Sequence, residues 1–124
     1  MMHDEYTRHN FPHREEKYKT RMALLVRGLR NFFGLTQNEL SEISHVSRPT
    51  LSRMEKLEDP EKKRLETIDQ ILMSFADMGV HVGFIGDKIQ LTFEAQAFEE
   101  AERKLKGREK EALRKKVEKN VKTL

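Results

Sequence analysis

The stretch LTQNELSEISHVSRPTLSRME, residues 35–55, decides how the whole chain is read. Its segment Thr36-Gln-Asn-Glu39 has the form of a capping box, in which a threonine hydroxyl and a carboxylate three residues on satisfy each other's orphan backbone donors. A short helix therefore starts at about Gln37, buries Leu40 and Ile43, and stops near Ser44 and His45. Ser47 offers a new N-cap, and Pro49 falls in the first turn of the next helix, where its missing N–H costs nothing. That helix runs to about Lys56 and buries Leu51 and Met54, while Ser47, Arg48, Pro49, Thr50, Ser52 and Arg53 project outward.

Upstream, a helical pattern builds from about Arg14, with Met22, Leu25, Val26, Leu29, Phe32 and Phe33 recurring at steps of three and four, and Gly34 closes it as a left-handed cap. Residues 1–13 carry no apolar periodicity and read as a flexible arm; His3, His9 and His13 in it are solvated side chains before they are metal ligands. Downstream, Glu58 to Lys63 is a polar loop or the solvated first turn of a fourth helix. That helix carries Leu65, Ile68, Ile71, Leu72, Phe75 and Met78 on one stripe and ends at Gly79.

After Gly79 the period changes to two. Val80, Val82 and Phe84 alternate with His81 and Gly83, and Ile89, Leu91 and Phe93 alternate with Lys88, Gln90 and Thr92. Gly86-Asp87 between them suits a type II′ turn, so residues 80–94 are predicted to form a β-hairpin. A lone two-stranded hairpin is marginal in water and needs a partner surface. From about Ala95 to the end the chain reads as a charged helix or tail, with Phe98, Ala101 and Leu105 on one side and Glu-to-Lys or Glu-to-Arg pairs four apart. Its readings are a dimer helix, a partner-protein surface, a nonspecific DNA contact, or a solvated face.

The fold class is thus mainly α: a helix-turn-helix domain of four to five helices at residues 14–79, then a β-hairpin and a charged C-terminal helix. Charge supports a division of labour. The net charge of +3 conceals segments of about +3 (residues 20–57), −4 (58–98) and +4 (99–124). Two basic segments flanking an acidic one suit a phosphate-facing surface joined to a region with another use.

Several function classes have little support. The chain has no cysteine, hence no disulfide framework or thiolate metal site. It shows no Gly-rich phosphate loop and no His-Glu metal spacing, so an enzyme is not expected, nor is a cofactor or a metal. The longest apolar run, Met22 to Val26, is far short of the roughly 20 residues a bilayer span needs. Asp4 and Glu5 make residues 1–10 unlike a signal peptide, so a cytoplasmic protein is expected.

Two short helices joined by about three residues have one common use, which is to place the second in the DNA major groove. The run from Leu35 to Glu55 closely resembles the helix-turn-helix of Cro/cI-like (Xre-type) repressors, and the resemblance covers about residues 20–79, a lambda-repressor-like domain. It implies that Gln37 touches a backbone phosphate and that Arg48, Pro49, Thr50 and Arg53 face base edges. It also implies a structural ion pair between Arg30 and Glu55. Two positions depart from the family pattern: His45 stands where the turn residue is usually glycine, and Ser41 where alanine is usual. Histidine tolerates the left-handed conformation better than most residues.

The residues make the physical case by themselves. An arginine fork matches guanine O6 and N7, so Arg48 or Arg53 is the best candidate for base choice, with Pro49 and Thr50 against a thymine methyl. Gln37 and Asn38, with the helix N-termini, would hold phosphates and set register.

The fourth helix and the apolar strand after it look like the HipB-type antitoxin branch, whose strand pairs with its twin in a dimer. The expectation drawn from that is a homodimer in which two hairpins join and bury Val82, Phe84, Leu91 and Phe93. The function expected is a sequence-specific, double-stranded DNA-binding regulator, a dimeric repressor binding an inverted repeat at its own or a neighbouring promoter. The alternative is an antitoxin that neutralises a partner protein and autoregulates. No membrane partner is expected.

Overall fold

The computed structural model describes residues 16–58 and 61–122, with side chains from 18 to 58 and from 66 to 120. The expected arm with His3, His9 and His13, the helix start near Arg14 and the side chain of Leu65 lie outside the described residues. Among the described residues the order is α1 Glu16–Phe32, α2 Gln37–Ser44, α3 Arg48–Glu55, α4 Glu61–Asp77, β1 Val80–Ile85, β2 Lys88–Phe93 and α5 Ala95–Lys122.

The long helices α1 and α4 supply most of the core because each concentrates apolar residues on one stripe. Met22, Val26, Leu29 and Phe33 are buried on α1, and Ile68, Ile71, Leu72 and Phe75 on α4. The Phe33 and Phe75 rings stack with centroids 5.9 Å apart. Truncating a buried phenylalanine to alanine costs about 3–5 kcal/mol, so this pair is the structural centre of the domain. Leu40 from α2, Val46 from the turn, and Leu51 and Met54 from α3 seat the two short helices on the same cluster.

Gly34 ends α1 at φ 67°, with the Gly34 N–H donating to the Asn31 carbonyl at 3.0 Å and the Leu35 N–H to the Arg30 carbonyl at 2.9 Å. This is a Schellman closure, which requires the left-handed conformation that glycine adopts without strain.

The hairpin pairs Val80 with Phe93, Val82 with Leu91 and Phe84 with Ile89 in an antiparallel register. Gly86 has φ 60°, and Asp87 is not among the residues with positive φ, the sign pattern of a type II′ turn. The partner surface the hairpin needs is largely its own chain. Val80 and Val82 belong to the same core as α1 and α4. Phe93 on β2 packs edge-on to Phe32 of α1, centroids 5.0 Å apart, and beside Phe98 of α5. His81 and Glu94 join across the base of the hairpin.

The last helix is continuous through Gly107 and has two unequal halves. Ala97 is fully buried, and Ala101 packs against the core. From residue 109 to residue 120 every side chain is exposed.

Candidate nucleic-acid interface

The N-terminus of α2 is built by Thr36 and Glu39. The Glu39 N–H donates to the Thr36 hydroxyl at 3.1 Å, and the Thr36 N–H donates to the Glu39 carboxylate at 2.8 Å. This reciprocal cap leaves the remaining first-turn N–H groups of α2 pointing out, beside Gln37 and Asn38. The Lys104 ammonium of α5 pairs with the same carboxylate. Chiefly that ammonium, and then the Thr36 amide, hold the Glu39 carboxyl below the usual carboxylate range.

The turn to α3 is fixed by a side chain that the sequence reading passed over. The Ser44 hydroxyl, buried, donates to the Leu40 carbonyl at 2.8 Å and accepts from the Val46 N–H at 3.2 Å. It spans the corner between the two helices with a polar contact on each side. His45 takes the left-handed conformation, φ 61° and ψ 21°, that glycine commonly supplies at such a corner. The Ser47 hydroxyl then caps α3, accepting from the Thr50 N–H at 3.3 Å and lying 2.8 Å from the Thr50 hydroxyl.

Behind the exposed face lies a charged anchor. Arg30 of α1 grips Glu55 of α3 with two parallel hydrogen bonds of 3.0 Å and sends a third to the Leu35 carbonyl at 3.0 Å. The Glu55 side chain is only 6% exposed. Gln37 also reaches it, its amide donating to Glu55 at 3.1 Å. A carboxamide nitrogen carries two protons, so the second remains for an outside acceptor while the first fixes the direction of the group.

On the outer side, Arg48, Pro49 and Arg53 are exposed, and Thr50 and Ser52 are partly exposed. Leu51 and Met54 point the other way, into the core. Neither Arg48 nor Arg53 has an ion-pair partner among the described residues. The geometry is therefore a rigid helix with two uncompensated guanidinium groups on its outer side. Asn38 and Ser47 are exposed at the N-termini of α2 and α3.

Residues 21–71 match the family model described as an antitoxin Xre-like helix-turn-helix domain. Over those residues the chain is similar to an Xre-type helix-turn-helix. That domain belongs to DNA-binding regulators and antitoxins, and α2 and α3 are its two central helices. No curated protein and no solved structure matches the chain. Among the described residues, no helix is long and apolar enough to cross a membrane.

The four hairpin residues named for a dimer are placed differently from one another. Val82 is 2% exposed within the single chain, so a second copy has almost nothing left to cover there. Phe84 and Phe93 are partly buried, and Leu91 is 37% exposed. Sequence alternation shows which residues need cover; it does not show whether the cover comes from another molecule.

Proposed function

We propose that the protein is a sequence-specific, double-stranded DNA-binding repressor that reads duplex DNA with α3 and acts as a dimer on an inverted repeat. The observation carrying this reading is the pair Arg48 and Arg53, exposed and without ion-pair partners on a helix whose other side is locked by Glu55 to Arg30 and Gln37. A guanidinium held on a fixed helix can present its fork to guanine with little further loss of freedom. Gln37 and Asn38, at the α2 N-terminus, take phosphates, and Ser47, Pro49, Thr50 and Ser52 complete the contact around α3. Two copies would set half-sites roughly 34 Å apart. The residues available for the dimer are Leu91 and the partly buried Phe84, with Ile85 at the hairpin end.

The test is binding of the full chain to sites selected from random duplex DNA. Arg48→Ala and Arg53→Ala should each lower discrimination by about 1–3 kcal/mol, and Gln37→Ala should weaken all sequences more evenly. Full selectivity in the double arginine variant would sink the assignment. A monomer by light scattering at micromolar concentration would overturn the dimer.

The antitoxin reading is favoured by one observation, the description of the matching family. Leu105, Leu113 and Val117, exposed along α5, are the surface it would use. Co-purification with a neighbouring gene product after co-expression supports that reading; a dimer that retains no protein partner favours the repressor.

A further inference from the structure

The side of α5 that docks on the domain continues, past the last docking contact, as a stripe of a different character. Its successive anchors are Ala97 in the core, Ala101 against the core, Lys104 on Glu39, and Arg108 on the Gly34 carbonyl. Their spacing is four, three and four residues, the repeat of one helix face. Continued by the same steps, that face carries Ala112, Lys115 and Lys119, all exposed.

These two lysines make no ion pair with any described residue. Of the nearby acids, Arg114 holds both Glu111 and Glu118, and Lys115 acts on Glu111 only as a weaker, more distant charge. Residues 109–122 carry six cations against three anions. A run of this kind gains little by packing and much by meeting a polyanion.

The path of the helix says which polyanion. Gln96 donates to the Asp77 carbonyl at 3.0 Å, so α5 starts beside the end of α4. It then passes Phe32 and leaves the domain beside Gly34 and Glu39, which flank the N-terminus of α2. That is the end of the helix-turn-helix assigned above to backbone phosphates.

We propose that residues 109–122 form a second DNA contact, a basic arm whose Lys115 and Lys119 lie against phosphates flanking the site read by α3. The inference rests on the DNA-binding reading of α3 and adds to it a sequence-independent contact outside the recognised bases. Fourteen helical residues extend about 21 Å, the length of about six base pairs.

The experiment measures binding of the full chain to two duplexes at a series of salt concentrations. One is trimmed to the selected site; the other carries about six further base pairs on each side. The wild-type chain should bind the longer duplex more tightly. The variant with Lys115→Gln and Lys119→Gln should lose that gain, and, because a dimer loses four lysine–phosphate contacts, its slope of log affinity against log salt on the longer duplex should fall by about 3.6. Lys110→Gln, which changes a charge on the opposite side of α5, should leave the gain in place. Equal affinity of the wild-type chain for the two duplexes overturns the arm without any variant. So does a double variant that keeps the wild-type slope and gain, or a loss as large from Lys110→Gln. A chain that binds neither duplex fails at the reading of α3, a result distinct from binding both equally.

Discussion

The pair α2–α3 and the outer half of α5 both present cations to solvent, yet they are held in opposite ways. The eight residues of α3 are capped by Ser47, sunk into the core through Leu51 and Met54, and tied to α1 through Glu55. Residues 109–120 of α5 are all exposed, and Arg114 there pairs with Glu111 and Glu118 of the same helix. A rigidly held arginine selects among bases because a misplaced fork loses its hydrogen bonds, whereas a lysine on a free helix follows any phosphate. On the proposed DNA-binding reading, the difference gives selectivity to the first region and sequence-tolerant affinity to the second.

The largest way to break this contrast is Glu55→Ala. It strips Arg30 of both bonds to the carboxylate and frees Gln37, leaving a charged group with an 18% exposed side chain and only the Leu35 carbonyl for company. Breaking a buried ion pair from one side costs about 3–5 kcal/mol; with this much access to water the loss should lie near 3 kcal/mol. Urea unfolding measures it, and DNA selectivity should fall with it because α3 loses its tie to α1. A stability loss under about 1 kcal/mol would mean that the core residues alone fix α3.

How far the sequence carries depends on whether the cause of a feature lies close in the chain. The cap at Thr36 and Glu39, the N-cap at Ser47, the turn at Gly86 and the starts of α2 and α3 are local chemistry, and the residues announce them. The outward placing of Arg48 and Arg53 follows equally from the burial of Leu51 and Met54 on the other side of the same helix. What lies 65 residues apart, the pairing of Lys104 with Glu39, leaves no periodic trace. The hairpin shows the limit most clearly. Its alternation required a covering surface, and most of that cover is supplied by the chain's own helices, through contacts that no local pattern encodes. The left-handed Leu57 is equally silent, because leucine is among the residues least expected there.

Leu57 offers the next test, and one that sharpens the contrast by making α3 firmer still. It closes α3 at φ 64°, donating to the Met54 carbonyl at 3.1 Å, while Glu58 donates to the Arg53 carbonyl at 2.7 Å. This is the same Schellman closure that Gly34 gives to α1, made with a residue whose Cβ opposes it. The residue is 38% exposed, so packing compensates only in part. Leu57→Gly should stabilise the protein by up to about 1 kcal/mol, the relief of strain being offset in part by the freer unfolded chain. Urea unfolding with unchanged DNA affinity is the expected result. A loss of stability would show that the leucine side chain packs more than it strains.

The smallest effect concerns the join between the two regions, Glu39 with Lys104. The folded carboxyl is held below its ordinary range by the ammonium first and the Thr36 amide second. Its contribution is therefore complete above the unfolded carboxylate value of about 4.3 and is lost as pH falls through the lower folded value. Both side chains are more than a third exposed, so the pair contributes about 0.5 kcal/mol. Glu39→Gln keeps an acceptor for the Thr36 N–H and removes only the charge. At pH 7 the variant should be less stable than the wild-type chain by that amount, and the two should converge as the pH falls through the lowered folded value and the wild-type carboxyl becomes neutral as well. A gap that persists in acid would place the effect in the cap geometry instead of in the ion pair, and α5 would then be docked by Ala97, Ala101, Phe98 and Arg108 without help from Lys104.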